Sequence, residues 1–204
     1  MSQSQLGSTP GSHLGAVVLT GGTAVRLDGV DKTGIEAGGV TLLEHALRAL
    51  SGIDEVVVVG DEVPTSRPVT FRREDPAGGG PAAALRAGLG GFVRTPTWVL
   101  ALAGDMPLVT PATISRLSSG LARDGAVLVD EHGKRQYLCA IYSVAALRLA
   151  MPADPHNVSL RSVVDRLQLT EVPAMGEETL DVDSWADVRR LREILAPAPS
   201  ADQD

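Results

Sequence analysis

At 204 residues the chain has the length of one domain with a sizeable core, or of two small ones. It is 44% hydrophobic but only 3% aromatic, with Ala, Val and Leu prominent, which fits a helix-covered sheet and excludes a disordered chain or an aromatic base-stacking surface. A net charge of −7 leaves no general electrostatic footprint for nucleic acid or an anionic membrane, so any phosphate-binding charge must be local.

Met1 to His13 is rich in Ser, Gly and Gln and lacks the basic and apolar regions of a signal peptide, so it reads as a disordered leader. Ala16–Leu19 follows as an apolar, β-branched first strand that breaks at Thr20-Gly21-Gly22. Thr41 with Glu44 has capping-box spacing, and Leu43, Ala46, Leu47 and Leu50 then mark one helical face, which Gly52 ends. Glu55–Gly60 is a short, continuously apolar strand. Strand, helix and strand at this spacing form a right-handed βαβ unit.

Val69–Phe71 reads as a third strand, followed by Glu74-Asp75-Pro76, a glycine run and a helix with Pro81 at its first position. Trp98–Leu102 is the fourth strand, ending in Ala103-Gly104-Asp105-Met106-Pro107. Thr110 and Pro111 open the next helix, with Ile114, Leu117 and Leu121 along one side. Ala126–Asp130 and Tyr137–Tyr142 read as strands flanking a turn, Val144–Ala150 and Leu160–Leu167 as helices, and Thr170–Val172 as a short strand. Ser184 and Asp187 cap a last helix that carries Val188, Leu191, Ile194 and Leu195 on one face. The alternation predicts an α/β fold: one Rossmann-like three-layer sandwich with a mostly parallel mixed sheet, spanning 14–196 between a 1–13 leader and a 197–204 tail.

Chemistry concentrates at the first glycine loop. A buried strand feeding adjacent glycines brings backbone N–H groups to phosphates, and Arg26 and Lys32 lie close enough in sequence to neutralise a polyphosphate. The loop is neither a P-loop, which needs Gly-Lys-Ser/Thr contiguous, nor the Gly-x-Gly-x-x-Gly dinucleotide fingerprint. A strand followed by a flexible loop is the plainer alternative. Asp105 falls at the carboxyl end of a strand, the edge where open α/β sheets bind ligands; a turn residue is the alternative. Cys139, the single cysteine, lies in an apolar run and reads as a buried thiol rather than a nucleophile. No apolar run approaches a membrane span, so a cytoplasmic protein without membrane or nucleic-acid partners is expected.

The run Leu19-Thr20-Gly21-Gly22, Arg26-Leu27, Gly29-Val30-Asp31-Lys32 resembles the Leu-Ala-Gly-Gly-x(3)-Arg-Met-Gly-x-Asp-Lys signature of nucleotidyltransferases, and within them is most similar to the molybdenum cofactor guanylyltransferases. Thr20 stands where the family usually has Ala, and Asp28 where it usually has Gly. Asp105-Met106-Pro107 resembles the family's Asp-x-Pro element, and Glu74-Asp75-Pro76 with Gly80-Pro81 its Glu-Asp…Gly-Pro element. The resemblance implies that Leu19, Thr20, Gly21, Gly22, Lys32, Asp75, Gly80 and Asp105 contact the nucleotide. Arg26 and the loop amides then cradle the leaving phosphates, and Lys32 stabilises charge near the α-phosphate. Asp105 holds Mg²⁺, with Asp183 of Asp181-Val182-Asp183 as second ligand, both aspartates facing one side if the segment is a strand; helix-terminal charge is the alternative for that pair.

Asp75 reads guanine in this picture, because a carboxylate accepts both N–H groups on guanine's N1/N2 edge; a turn former before Pro76 is the alternative. Val59 occupies the position after the second strand where guanylyltransferases often carry Asn. Gln136 replaces a family His, and Arg161 matches a Ser-Val-Arg element that would touch the second substrate; a solvated helix face is its alternative. The implied reaction joins GTP to the molybdopterin form of molybdenum cofactor with release of pyrophosphate, and molybdoenzymes or cofactor-insertion proteins would be onward partners. A cytidylyltransferase, another small-substrate nucleotidyltransferase, and a nucleotide-binding regulatory module without turnover are the competing readings.

Overall fold

The structure is a computed structural model that describes residues 13–20, 26–27 and 30–196. Of the sequence-derived features, residues 1–12 and 197–204, Gly21, Gly22, Asp28 and the side chain of Arg26 lie outside the described residues. In chain order the strands and helices begin with β1 (Leu14–Leu19), β2 (Arg26–Leu27) and β3 (Val30–Asp31), then a 3-10 turn (Lys32–Gly34), β4 (Glu36–Ala37), β5 (Val40–Thr41), α1 (Leu42–Ala49), β6 (Val56–Val59) and β7 (Thr70–Arg72). They continue with α2 (Pro81–Leu89), β8 (Trp98–Ala103), α3 (Pro111–Ser119), β9 (Gly125–Val129), β10 (Arg135–Ser143), α4 (Val144–Ala150), α5 (Leu160–Val164), β11 (Leu169–Pro173) and α6 (Trp185–Leu195).

β1 lies inside a seven-stranded sheet ordered β11-β9-β10-β8-β1-β6-β7. It pairs in parallel with β6, Leu19 opposite Val59, and with β8, Leu19 opposite Ala103. Ala16, Val17 and Val18 are fully buried because helices cover both faces, which is why these strands show no polar alternation. Ala16 and Val18 face α1 and α3 through Leu43, Leu47, Ile114 and Leu117. Val17 and Leu19 face the opposite layer, where Leu85, Leu147, Leu160 and Val164 of α2, α4 and α5 pack. β10 runs antiparallel to β8 and β9, making the sheet mixed.

A smaller third cluster positions the site. Val182, Val188 and Leu191 pack with Ile35, Ala37 and Leu42, so the segment before α6 is held against the residues that follow Lys32. Among the described residues no helix is long and apolar enough to cross a membrane.

Four local expectations differ from the structure. Thr41 accepts the Glu44 N–H at 3.2 Å, but Glu44 does not close the capping box; its carboxylate takes the Ser66 N–H at 2.7 Å and the Ser66 hydroxyl at 2.5 Å. Ile194 is 42% exposed, because α6 buries only a narrow stripe, Val188 and Leu191. α5 stops at Val164, although Leu167 beyond it still packs on the core. Asp181–Asp183 is not strand, yet alternation survives: Val182 is fully buried between two exposed aspartates.

Candidate active site

The carboxyl ends of β1, β6 and β8 meet at one edge. The Thr20 N–H and hydroxyl both donate to the Val59 carbonyl, at 3.0 and 3.2 Å, and the Gly104 N–H donates to the Leu19 carbonyl at 2.9 Å. A Cβ on Gly104 would lie 2.8 Å from Thr20 Cγ2 and 3.3 Å from the Leu19 carbonyl oxygen, so glycine is needed for this close approach. The extra bulk of Thr20 is thus accommodated by the absence of a side chain across from it. Val59 is buried and offers a bound ligand nothing polar, its carbonyl being taken by Thr20.

Asp105 follows directly from β8. Lys32, only 8% exposed, reaches it from the 3-10 turn, with Nζ 3.6 Å from Asp105 Oδ2 and 2.5 Å from Asp183 Oδ1. The Val182 N–H donates to the Asp105 carbonyl at 3.0 Å, which ties the C-terminal segment to the β8 loop. Burial is the main cause that pushes the Asp105 carboxyl above its ordinary range; Lys32 pulls it down, and Asp183 and Asp181 push it up. One ammonium therefore serves a group of carboxylates that are short of positive charge. Among the described residues no three or more His, Cys, Asp or Glu side chains are arranged as a metal cage. Asp105 and Asp183 are instead an open pair, which suits a hard divalent cation shared with substrate oxygens, since Mg²⁺ in phosphate sites takes one or two carboxylates.

Glu178 was not legible as a site-supporting residue. It is 7% exposed and accepts the Thr113 hydroxyl at 2.6 Å, the Met175 N–H at 2.8 Å and a bond from Arg116. These contacts fasten the segment between β11 and α6, which carries Asp181 and Asp183, onto α3. The Ser184–Asp187 capping box, complete as expected, fixes the other end of that segment.

The remaining expected residues have contacts of their own. Asp75 is exposed and lines an open groove of about 520 Å³ with Arg72, Arg73, Arg86 and His156. Its neighbour Glu74 is the one that shapes the loop, accepting the Gly79 N–H at 2.6 Å. Gly80 is the N-cap of α2 at φ 84°, a left-handed conformation that favours glycine. Arg161 pairs with Asp165 at 3.2 Å and lines a groove of about 590 Å³ with Lys134, Arg135 and Tyr137. Gln136 is not brought to that groove; its amide reaches Asp130 at 3.5 Å. Cys139 is fully buried and its thiol is pushed up to about 12 by burial, so it is no nucleophile.

A doubly wound α/β sheet with a lysine and carboxylates gathered at the carboxyl edge of its central strands has the layout of a nucleotidyltransferase. The chain belongs to the MobA-like NTP transferase domain family, which matches residues 16–172. It is 34% identical over 148 residues to the molybdenum cofactor guanylyltransferase of Acidiphilium cryptum (strain JF-5), covering 67% of this chain and 70% of that protein. It is 31% identical over 121 residues to the molybdenum cofactor guanylyltransferase of Rhizobium johnstonii, covering 58% of this chain and 57% of that one. The fold is similar to that of a nucleotidyl transferase from Methanothermobacter thermautotroptrophicus, with a TM-score of 0.72 at 23% identity over 90% of this chain and 98% of the other.

Proposed function

We propose that this nucleotidyltransferase moves GMP from GTP to the molybdopterin form of molybdenum cofactor, releasing pyrophosphate. The observation that carries the reading is the Lys32–Asp105–Asp183 cluster at the carboxyl edge of β1 and β8; the names of the two relatives supply the substrates. A phosphate oxygen of the acceptor attacks the α-phosphorus in line, the bond to the β-phosphate oxygen breaks, and pyrophosphate leaves. The protein's work is positioning and charge neutralisation.

In this reading Gly21 and Gly22, with Arg26, hold the phosphates, the Thr20 N–H being engaged by the Val59 carbonyl. Lys32 stabilises charge at the α-phosphate. Asp105 and Asp183 would hold Mg²⁺, which supplies Lewis-acid neutralisation of the transferring phosphate when bound. Asp75, in the loop that precedes α2, accepts from the guanine edge. The groove lined by Lys134, Arg135 and Arg161 offers an anionic acceptor three cations, of which Arg135 is shared with Glu171 and Arg161 with Asp165.

The apolar Val59, with its carbonyl already occupied, is the observation that favours a second reading, cytidylyl transfer, because it removes one polar contact from the base site. A panel of GTP, CTP and ATP, scored for Mg²⁺-dependent pyrophosphate release with the pterin acceptor, decides the matter. Turnover with GTP is expected. Release with CTP alone would overturn the guanylyl assignment, and nucleotide binding without release from any of the three would leave a binding module.

A further inference from the structure

We propose that Lys32 is the built-in counterion of the Asp105–Asp183 pair, so that metal and nucleotide must arrive together to displace it. The inference rests on the reading of those carboxylates as the metal's holders. The Lys32 side chain is only 10% exposed, and its ammonium lies 2.5 Å from Asp183 Oδ1 and 3.6 Å from Asp105 Oδ2. An ammonium this far from water needs a partner, and here it has two.

Lys32 holds one oxygen of each carboxylate, and a second cation brought to the same pair is repelled by its ammonium. Mg²⁺ or Mn²⁺ takes oxygen ligands at about 2.1 Å, which places a dication against the ammonium if Lys32 stays where it is. Lys32 must then turn away, and a buried ammonium that leaves two carboxylates requires another anion. A nucleotide's phosphates supply one, on the same sheet edge where Lys32 emerges from the turn after β3. Metal alone therefore meets a pair whose charge the ammonium has partly neutralised, and nucleotide alone meets a lysine already engaged. Together they exchange partners: the carboxylates go to the metal and the lysine to the phosphates. Linkage makes the effect reciprocal, the metal tightening nucleotide by the factor by which nucleotide tightens metal.

The exchange is testable on the full chain with Mn²⁺ as the probe. Mn²⁺ binding is measured by electron paramagnetic resonance without nucleotide, and the affinity of a non-hydrolysable GTP analogue is measured by calorimetry with and without Mn²⁺. Lys32→Met keeps the apolar stem and removes the charge; Lys32→Gln is the second variant should methionine disturb the turn, and Lys32→Arg keeps the charge. Wild type and Lys32→Arg are expected to bind Mn²⁺ weakly alone. Lys32→Met or Lys32→Gln is expected to bind it at least about tenfold more tightly, within the usual range of coupling between sites, and to lose most of the metal-dependent gain in nucleotide affinity. Adding Asp183→Asn to Lys32→Met should abolish the new Mn²⁺ affinity. Equal nucleotide-free Mn²⁺ affinity in wild type and Lys32→Met overturns the proposal; if Mn²⁺ still tightens the analogue in wild type, the metal assignment stands without it. An analogue whose affinity is indifferent to Mn²⁺ in every form overturns both.

Discussion

Glu178→Ala should destabilise the fold by about 3 kcal/mol and slow turnover from a distance. The substitution strips one buried acceptor from the Thr113 hydroxyl, the Met175 N–H and the Arg116 guanidinium. Removing one member of a buried ion pair costs about 3–5 kcal/mol, chiefly because the other charge is left unpaired. The Arg116 side chain is 28% exposed, and the Thr113 hydroxyl keeps its 3.1 Å contact with Thr110, so the low end of that range applies. For a chain of this length that amounts to a fall of roughly 6–12 °C in Tm. Thermal unfolding followed by circular dichroism measures it. Thr113→Val, which deletes the donor to Glu178 and the acceptor of the Thr110 N–H, should cost about 1–2 kcal/mol, and Glu178→Gln should fall between that and the alanine variant. The freed segment carries Asp183, so the alanine variant should lose kcat at temperatures where it remains folded. Unfolding of Glu178→Ala within about 1 kcal/mol of wild type would refute the clamp, since no buried acceptor with these partners is that cheap to lose.

Asp105→Asn should reduce turnover about a hundredfold or more at saturating Mg²⁺, by steady-state kinetics. The same variant should raise Tm at neutral pH: the folded carboxyl is shifted upward, so its ionisation weakens the native state as pH rises from the ordinary carboxylate range through the shifted value. That gain should fade on acidification below about pH 4, where the unfolded chain's carboxyl is protonated too. Gly104→Ala should cost about 1–3 kcal/mol in denaturant unfolding by overpacking against Thr20 Cγ2, and Thr20→Ser in the same chain, which removes that methyl, should recover most of it. Asp75→Ala should erase most of the preference for GTP over CTP and ATP in calorimetric titration, about thirtyfold for each hydrogen bond to a charged group, while triphosphate binding itself persists.

How much of this was legible in the sequence depends on the range of the interaction that carried it. β1, β6 and β8 announce themselves because burial on both faces forces continuous apolar runs. Thr110-Pro111 and Ser184 with Asp187 announce helix starts because capping is settled within a few residues. The Thr41–Glu44 box failed for the opposite reason: Ser66, far along the chain, competes for the Glu44 carboxylate and wins both of its oxygens. Lys32 and Asp183 could each be picked out by resemblance, but their ion pair spans 151 residues and no local pattern records it. Glu178 was invisible, one glutamate in the polar run Gly176-Glu177-Glu178-Thr179, where only the packing of the segment on α3 distinguishes it from its exposed neighbour Glu177.

The charge balance of the cluster also bears on how an acidic chain can take a triphosphate. Among the described residues, Asp105 and Asp183 share a single buried cation, Lys32, and Asp181 adds its negative charge to that of Asp105. Two like charges about 4 Å apart near a protein surface repel by about 4 kcal/mol, so a bare triphosphate brought to this edge meets opposition comparable to what one lysine can offset. A dication alone is drawn by the carboxylates but held off by the ammonium beside them. Each ligand is therefore disfavoured singly for a reason that the other removes, and the species that fits the cluster's charge is the metal–nucleotide complex. On this account the anchoring of the C-terminal segment by Glu178 serves catalysis indirectly. It keeps Asp183 within reach of Lys32 before the complex arrives, so that the carboxylate pair is assembled before either ligand binds.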